Sequence, residues 1–205
     1  MFVYKYYILC KYIKNILKKQ KIIDINTIYN MASLNCKIVK GVDASCSPNV
    51  SGVLRMAIAN WSEDYQFTGS TSGGCVDTID LGEEKAYNFA IMDGTGNATS
   101  TGTIGGNNDS RYHQHAVTGQ IAHLDCNLIG EYNNWFLGRV IIFVETKNRD
   151  VYAFGVDNGL TAETWTYDTG TADGDANGIN FVFSGAQPNA PVKISDWSVV
   201  KGLMA

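Results

Sequence analysis

The segment between Val140 and Val156 constrains the fold more than any other part of the sequence. It holds two apolar runs, Val140–Val144 and Val151–Val156, on either side of the polar stretch Lys147–Asp150. The first run is too short to span a membrane and too rich in β-branched residues for a helix, so we predict a strand buried on both faces. The polar stretch predicts a turn, and the two runs together predict an apolar hairpin.

The segment before this hairpin has the spacing of an amphipathic helix. Large apolar residues occur at 124, 128, 132 and 135/136, which fall on one helical face. We therefore predict a helix over Leu124–Phe136 that ends near Gly138 and packs on the hairpin. Neither element carries a catalytic group, so the predicted centre of the molecule is architectural.

The rest of the sequence reads as short strands separated by polar turns. Gly is abundant at 21 residues and Pro is rare at 3, which favours a β-rich fold over a helical bundle. In Val53–Ala59 we expect Leu54, Met56 and Ile58 on one face of a strand. The fold class predicted is mainly β (α+β): a β-sandwich or barrel of about seven to nine strands, with one flanking helix and a long hairpin arm. The other predicted strands are Leu34–Val42, Val76–Leu81, Tyr87–Met92, Tyr112–Leu124, Glu163–Tyr167 and Ile179–Phe183. The stretch Val192–Val200, with Trp197, is expected to close the fold.

The charge is unevenly distributed along the chain. Residues 1–30 contain six Lys and one Asp but no Gly, Ala, Arg or Pro, whereas residues 31–205 contain 10 basic and 19 acidic side chains. We interpret residues 1–30 as a non-globular leader, with Met31 as a plausible translation start, and residues 31–205 as a single domain. A net charge of −9 on that domain disfavours binding to nucleic acid.

Residues 93–111 form an unusually long polar stretch, in which only Ala98 and Ile104 are apolar. A plain connection inside a compact domain is rarely this long. We predict an arm at the tip of a hairpin, projecting from the body and too polar to pack on its own domain. Its candidate assembly residues are Thr95, Asn97, Thr101, Ile104, Asn107 and Asn108.

Two patterns resemble metal sites. Asp173, Asp175 and Asn177 match the first half of a calcium loop, but Ser184 stands where the closing Glu is required. His113 and His115 share one strand face, and we interpret them as surface histidines at the base of the arm. We therefore predict neither a metal nor a cofactor, and Asp173, Asp175 and Asn177 stay weak candidates.

No catalytic constellation emerges from the sequence. The five cysteines form no C-x-x-C pair, and Cys75 after Gly73 and Gly74 has no base assignable from spacing. The acidic residues Asp77, Asp80, Glu83 and Glu84 are interpreted as a solvated rim rather than a glycosidase pair. We expect that the protein is not an enzyme. Two alternatives remain. One is a carbohydrate-binding β-sandwich, with or without calcium, that uses Trp61, Tyr65, Trp165 or Trp197 as stacking platforms. The other is a hydrolase whose acidic pair cannot be placed from the sequence.

These features together resemble the tail-tube proteins of tailed bacteriophages. The resemblance rests on the small acidic β domain, the single helix, the polar arm and the lack of a catalytic constellation. The pattern from Trp135 to Leu160 also resembles small virion proteins of phages that infect Bacteroidetes-type hosts. The resemblance is one of organisation and covers about Met31–Ala205. It implies a virion protein that is assembled in the bacterial host cytoplasm into homo-oligomeric rings or a tube, beside other tail proteins. It also implies that DNA passes through an acidic lumen without adhering, and that no membrane is involved.

Overall fold

The computed structural model describes residues 48–69, 75–105, 110–122, 130–131, 134–135, 137–172, 175 and 177–205. Within this part, Pro48–Ala205 is one compact unit. The predictions for the leader at residues 1–30, the start at Met31 and the strand Leu34–Val42 lie outside the described residues.

The described residues form two β-sheets, with a short helix at the C-terminal end and few other helical residues, which confirms the predicted fold class. The first sheet has seven strands in the order β2-β3-β11-β8-β7-β1-β4, and the second has four in the order β5-β6-β10-β9. There are more strands than predicted, because several have only three or four residues. The elements are β1 (Val53–Asn60), β2 (Gln66–Gly69), β3 (Val76–Asp80), β4 (Tyr87–Phe89), β5 (Asn97–Ile104), β6 (Arg111–Ala122), β7 (Val140–Thr146), β8 (Val151–Phe154), β9 (Thr161–Asp168), β10 (Gly178–Gln187), β11 (Val192–Ile194) and α1 (Trp197–Lys201).

The predicted apolar hairpin is confirmed as β7 and β8, which pair antiparallel at the centre of the first sheet. Alternate residues of β7 enter two different hydrophobic clusters: Ile142 faces the second sheet, and Phe143 faces the side covered by α1. A strand buried on both faces needs apolar residues at every position, which explains the unbroken run in the sequence. The return strand ends at Phe154, because Gly155 turns the chain with a φ of 80°.

The predicted helix lies partly outside the described residues. Gly130, Glu131, Asn134, Trp135 and Leu137 are helical. The Trp135 ring meets the rings of Phe89 at 5.0 Å and Trp165 at 4.9 Å, both edge to face. These contacts place Trp135 against residues of both sheets. The predicted positions 124, 128, 132 and 136 lie outside the described residues.

The C-terminal stretch Val192–Val200, expected from the sequence to close the fold, consists of a strand followed by a helix. β11 ends at Ile194, and Trp197 begins α1. The side chain of Asp196 accepts a hydrogen bond from the backbone N–H of Ser198, which caps the helix. α1 buries Trp197 and Val200 against the first sheet.

The expected alternation of β1 fails at its start. Met56 and Ile58 share one face as predicted, and that face packs on the second sheet, whereas Leu54 is 41% exposed and Val53 is buried in its place. The pairing of β1 with β7 shifts register between Val53 and Arg55. Such a bulge adds a residue and reverses which side chain points inward.

The expectation that residues 93–111 do not pack on their own domain is also wrong. The hairpin is present, but Asn97–Ile104 is a full strand, β5, that pairs with β6 along its whole length. β6 is in turn paired with β10 from His113 to Ala122. The hairpin is therefore part of the second sheet, and only its end reaches beyond β10. Among the described residues, no helix has the length and apolar character needed to cross a membrane.

Candidate functional site

The edges of the two sheets differ in how they are protected. β2 and β4, at the edges of the first sheet, have four and three residues. β9, at one edge of the second sheet, carries Glu163 and Asp168, and its register with β10 makes Glu163 a bulged residue. Short length, charge and bulges are the usual features that keep edge strands from pairing with other chains.

β5, at the other edge of the second sheet, has none of these protections. It is eight residues long and contains no charged residue and no Pro. It pairs with β6 in unbroken register, from Asn97 opposite Thr118 to Ile104 opposite Arg111. No other described strand pairs with its second edge. A long regular edge of this kind is a template for strand addition.

The backbone polarity of β5 follows from one hydrogen bond. The N–H of Gly105 donates to the carbonyl of Ser110 at 2.8 Å, so residues 105 and 110 form a hydrogen-bonded pair. In an antiparallel ladder such pairs alternate with pairs that are not hydrogen-bonded. The unpaired N–H and C=O groups of the outer edge therefore belong to Ala98, Ser100, Gly102 and Ile104.

The outward face of the second sheet is uncharged over three adjacent strands. Surface positions of soluble domains are charged in about 25–35% of cases, yet every outward position of β5, β6 and β10 is neutral. We call this surface the neutral face. Its residues are Asn97, Thr99, Thr101, Thr103, Tyr112, Gln114, Ala116, Thr118, Gln120, Ala122, Asn180, Val182, Ser184 and Ala186.

On its inner side, β5 borders an open groove between the two sheets. The groove has a volume of about 300 Å³, and Ala98 and Ser100 line it on the β5 side. Val53, Tyr152 and Phe154 line it on the side of the first sheet. The sandwich is thus incompletely closed along the edge that β5 presents.

The structure separates the predicted assembly residues into two groups. Asn97, Thr101 and Ile104 lie exposed on β5. Thr95 instead belongs to the base of the hairpin, where its hydroxyl donates to the Met92 carbonyl at 2.7 Å and accepts from the Gln120 N–H at 3.2 Å. Asn107 and Asn108 lie outside the described residues.

Sequence reasoning missed the contribution of β6 and β10 to this surface. Gln114 and Thr118 on β6 and Ser184 on β10 extend the neutral face beyond β5. The signal was present as alternation, because the buried residues Ile179, Phe181 and Phe183 alternate with neutral ones. Which strands are neighbours depends on long-range pairing, which that alternation does not reveal.

Of the three candidate calcium ligands, Asp175 has a structural role within its own loop. One carboxylate oxygen of Asp175 accepts hydrogen bonds from the backbone N–H groups of Thr171 at 2.8 Å and Ala172 at 2.7 Å. These bonds lower the pKa of Asp175 and hold the loop between β9 and β10. Asn177 is exposed, and Asp173 lies outside the described residues. The described residues contain no group of three or more metal-binding side chains.

The interpretation of the two histidines as surface residues is wrong for His115. It is 2% exposed and lies against the Phe154 ring, with 5.4 Å between centroids. Burial lowers the pKa of His115 to about 4, and the nearby His113 acts in the same direction. His113 remains partly exposed beside Ser100. His115 is therefore a neutral core residue at pH 7.

Two of the four proposed sugar platforms belong to the core. Trp165 is 7% exposed and Trp197 is 5% exposed, so neither offers a free ring face. Trp61 is partly buried, donates its indole N–H to the Val156 carbonyl at 3.0 Å and lies under Arg139. Tyr65 is partly buried as well.

The acidic rim is confirmed, since Asp77, Asp80, Glu83 and Glu84 are all exposed. Two of them have structural partners: Asp80 accepts from the Gly82 N–H and Glu84 from the Asn60 side chain. Cys75 is a free, partly buried thiol. Among the described residues, the geometry therefore points to the neutral face and the β5 edge as the candidate functional surface.

Comparisons of the chain with protein-family models, with curated proteins and with solved structures give no match.

Proposed function

We propose that this chain is a structural subunit that assembles with copies of itself into rings or a tube, in the manner of the virion tail proteins that it resembles. The observation that carries the proposal is the neutral face together with its unprotected edge, β5. Cores of protein interfaces are depleted of charged residues relative to the rest of the surface. The neutral face of this otherwise acidic domain is depleted of charged residues in the same way.

The acidity of the remaining surface fits a conduit for DNA. Residues 31–205 carry a net charge of −9, and the neutral face contributes nothing to it. Charge of one sign on the exposed surface repels phosphate, so DNA would pass as cargo without adhering. Other tail proteins would join the same assembly in the virion, after assembly in the bacterial host cytoplasm.

Electron microscopy and sedimentation velocity of the full chain test the assembly directly. We expect rings or tubes, and we expect Thr118→Lys on the neutral face to weaken them because it places a charge in the contact. Thr78→Lys on the exposed part of β3 is the matched control and should assemble like the wild type. A wild-type chain that stays monomeric at high concentration would contradict the proposal, and retention on a sugar resin would favour the carbohydrate-binding alternative.

The conduit part of the proposal has its own test. Duplex DNA should not bind the chain from Met31 to Ala205 at moderate salt, where non-specific DNA-binding proteins have dissociation constants of about 10⁻⁴–10⁻⁶ M. Fluorescence anisotropy of a labelled duplex measures this. Tight binding that weakens as salt is added would overturn the argument from charge.

A further inference from the structure

We propose that β5 pairs with β5 of a second copy of this chain, antiparallel and about a two-fold axis that passes beside Thr101. The contact would join the two second sheets into one continuous eight-stranded sheet. This proposal goes beyond the proposed rings or tube, because it identifies the β5 edges as the contacting strands and a two-fold axis as their symmetry.

The backbone of β5 is complementary to itself. The outward-pointing N–H and C=O groups belong to Ala98, Ser100, Gly102 and Ile104, at every second residue. With the axis at Thr101, Ala98 lies opposite Ile104 of the second copy, and Ser100 lies opposite Gly102. This register uses all four outward residues of each strand, in about eight hydrogen bonds. A shift by two residues in either direction would leave some of these groups unpaired.

The side chains favour the same register. Ile104 is 61% exposed, an unusual state for a β-branched apolar residue in a strand. Opposite residues of paired strands share one face. Ile104 of the second copy would therefore stand beside Ala98, on the side where Ala98 borders the 300 Å³ groove. The contact thus covers the exposed Ile104 and the open groove of both copies.

The outer face of the contact also fits. Thr101 would meet Thr101 of the second copy, and Thr99 would meet Thr103. These are small β-branched side chains, which suit cross-strand pairs. β5 carries no charge, so no like charges are brought together.

β9 is a poorer partner for β5. The bulge at Glu163 interrupts its regular alternation, and the strand carries two carboxylates, those of Glu163 and Asp168. A head-to-tail contact of β5 with β9 would lose ladder hydrogen bonds at the bulge. A second β5 offers eight regular residues instead.

Charge reversal at Thr101 separates the two arrangements. Thr101 is exposed, and its side chain points away from the core, so Thr101→Lys and Thr101→Glu leave the subunit folded. In the two-fold contact each variant meets its own charge at close range, which should raise the dissociation constant by about tenfold or more. An equal mixture of the two variants should recover association, because Lys then faces Glu. Thr78→Lys on the exposed part of β3 is the control, because it lies outside both β5 and the neutral face and should associate like the wild type.

Sedimentation velocity of the full chain at several concentrations measures each variant and the mixture. Weakened association of both single variants with recovery in the mixture supports the two-fold contact. The two-fold contact is overturned if both Thr101 variants associate as strongly as the wild type. It is also overturned if both variants associate more weakly and their mixture does not recover. If rings or tubes still form in that case, the proposed function stands without this contact. If two-fold dimers form but no larger assembly does, the contact stands and the rings or tube do not.

Discussion

His115 is buried between the two sheets, with 2% of its surface exposed. The backbone N–H of Gly155 approaches its Nδ1 at 3.4 Å, and the Phe154 ring packs against it. Burial is the main cause of its lowered pKa, His113 adds to the effect, and the backbone of Asn189 and the carboxylate of Asp157 oppose it. The folded protein therefore holds His115 neutral in a range where an unfolded chain protonates it.

We predict that stability falls as the pH decreases from 6.5 to about 4. Over that interval the unfolded state binds more protons at position 115, because its pKa is 6.5 there and about 4 in the folded state. Each pKa unit corresponds to about 1.4 kcal/mol, so the loss is at most about 3.5 kcal/mol, and solvent screening reduces it. Urea unfolding at several pH values measures it. His115→Gln should flatten the slope, and an unchanged slope in that variant would show that another group is responsible.

Glu145 is a buried carboxylate on the side of the first sheet that α1 covers. It is 3% exposed, pairs with the guanidinium of Arg55 and accepts a second bond from Arg149 at 3.4 Å. The Arg55 guanidinium also lies 5.0 Å from the centre of the Trp197 ring. Arg55 therefore links β1 and β7 to the C-terminal helix.

We predict that Arg55→Ala destabilises the fold by about 1–3 kcal/mol, because it leaves the Glu145 carboxylate buried with a weaker partner. Arg55 is partly exposed, which keeps the expected loss below that of a fully buried pair. Combining Arg55→Ala with Glu145→Gln should restore part of the loss, since no buried charge remains. Urea midpoints of the wild type, the single variant and the double variant decide this, and a single variant as stable as the wild type would refute it.

At the scale of elements, β5 illustrates how a strand forms without an apolar pattern. Its inner face needs few apolar residues because it lies at the margin of the sandwich, where Ala98 is the residue that packs on the core. Gly96, just before it, is buried against Ile91 and Val53. The polar composition of residues 93–111 therefore permits an edge strand as well as a free loop.

A matched pair of glycine variants tests whether β5 is docked on the body. A Cβ at Gly96 would lie 2.5 Å from Ile91 Cδ1 and 2.8 Å from Val53 Cβ, whereas one at Gly102 would meet nothing nearer than 3.8 Å. We expect Gly96→Val to lower the free energy of unfolding by about 1–3 kcal/mol, as overpacking does. Gly102→Val should be nearly neutral. Equal thermal stability of the two variants would mean that the start of β5 is not packed as described.

The contrast between β7 and β5 shows what the sequence could predict. The unbroken apolar run of β7 has one good explanation, a strand buried on both faces, and the structure confirms it. β5 has no such signature, because Thr, Ser and Gly suit loops and edge strands equally. α1 was missed although Asp196 is a typical capping residue, because the run of Val199 and Val200 resembles a strand.

The candidate surface was predictable only in part, for a related reason. Asn97, Thr101 and Ile104 were identified from the length and polarity of their segment. That β5 lies at an edge, and that β6 and β10 continue its neutral face, follows from the pairing of residues far apart in the chain, such as His113 with Gln187, 74 positions later. Local sequence patterns do not predict such long-range strand pairing.

At the scale of the whole molecule, the two sheets are covered unequally. The first sheet has hydrophobic clusters on both faces, one against the second sheet and one beneath α1. In the described part of the chain, the second sheet has a cluster on one face only, and its other face is the neutral face. Among the described edges, β5 is long, regular and uncharged. The neutral face and the unprotected edge strand β5 thus belong to the same sheet.

Residue-resolved amide hydrogen exchange of the full chain, at concentrations below and above association, tests the role of β5 most directly. In the dilute chain, the amides of Thr99, Thr101 and Thr103 should be protected by their bonds to β6, while those of Ser100 and Gly102 should exchange rapidly. In the associated protein, the amides of Ser100 and Gly102 should become protected to a similar degree. Rapid exchange of Ser100 and Gly102 in a protein that sedimentation shows to be associated would contradict assembly through β5.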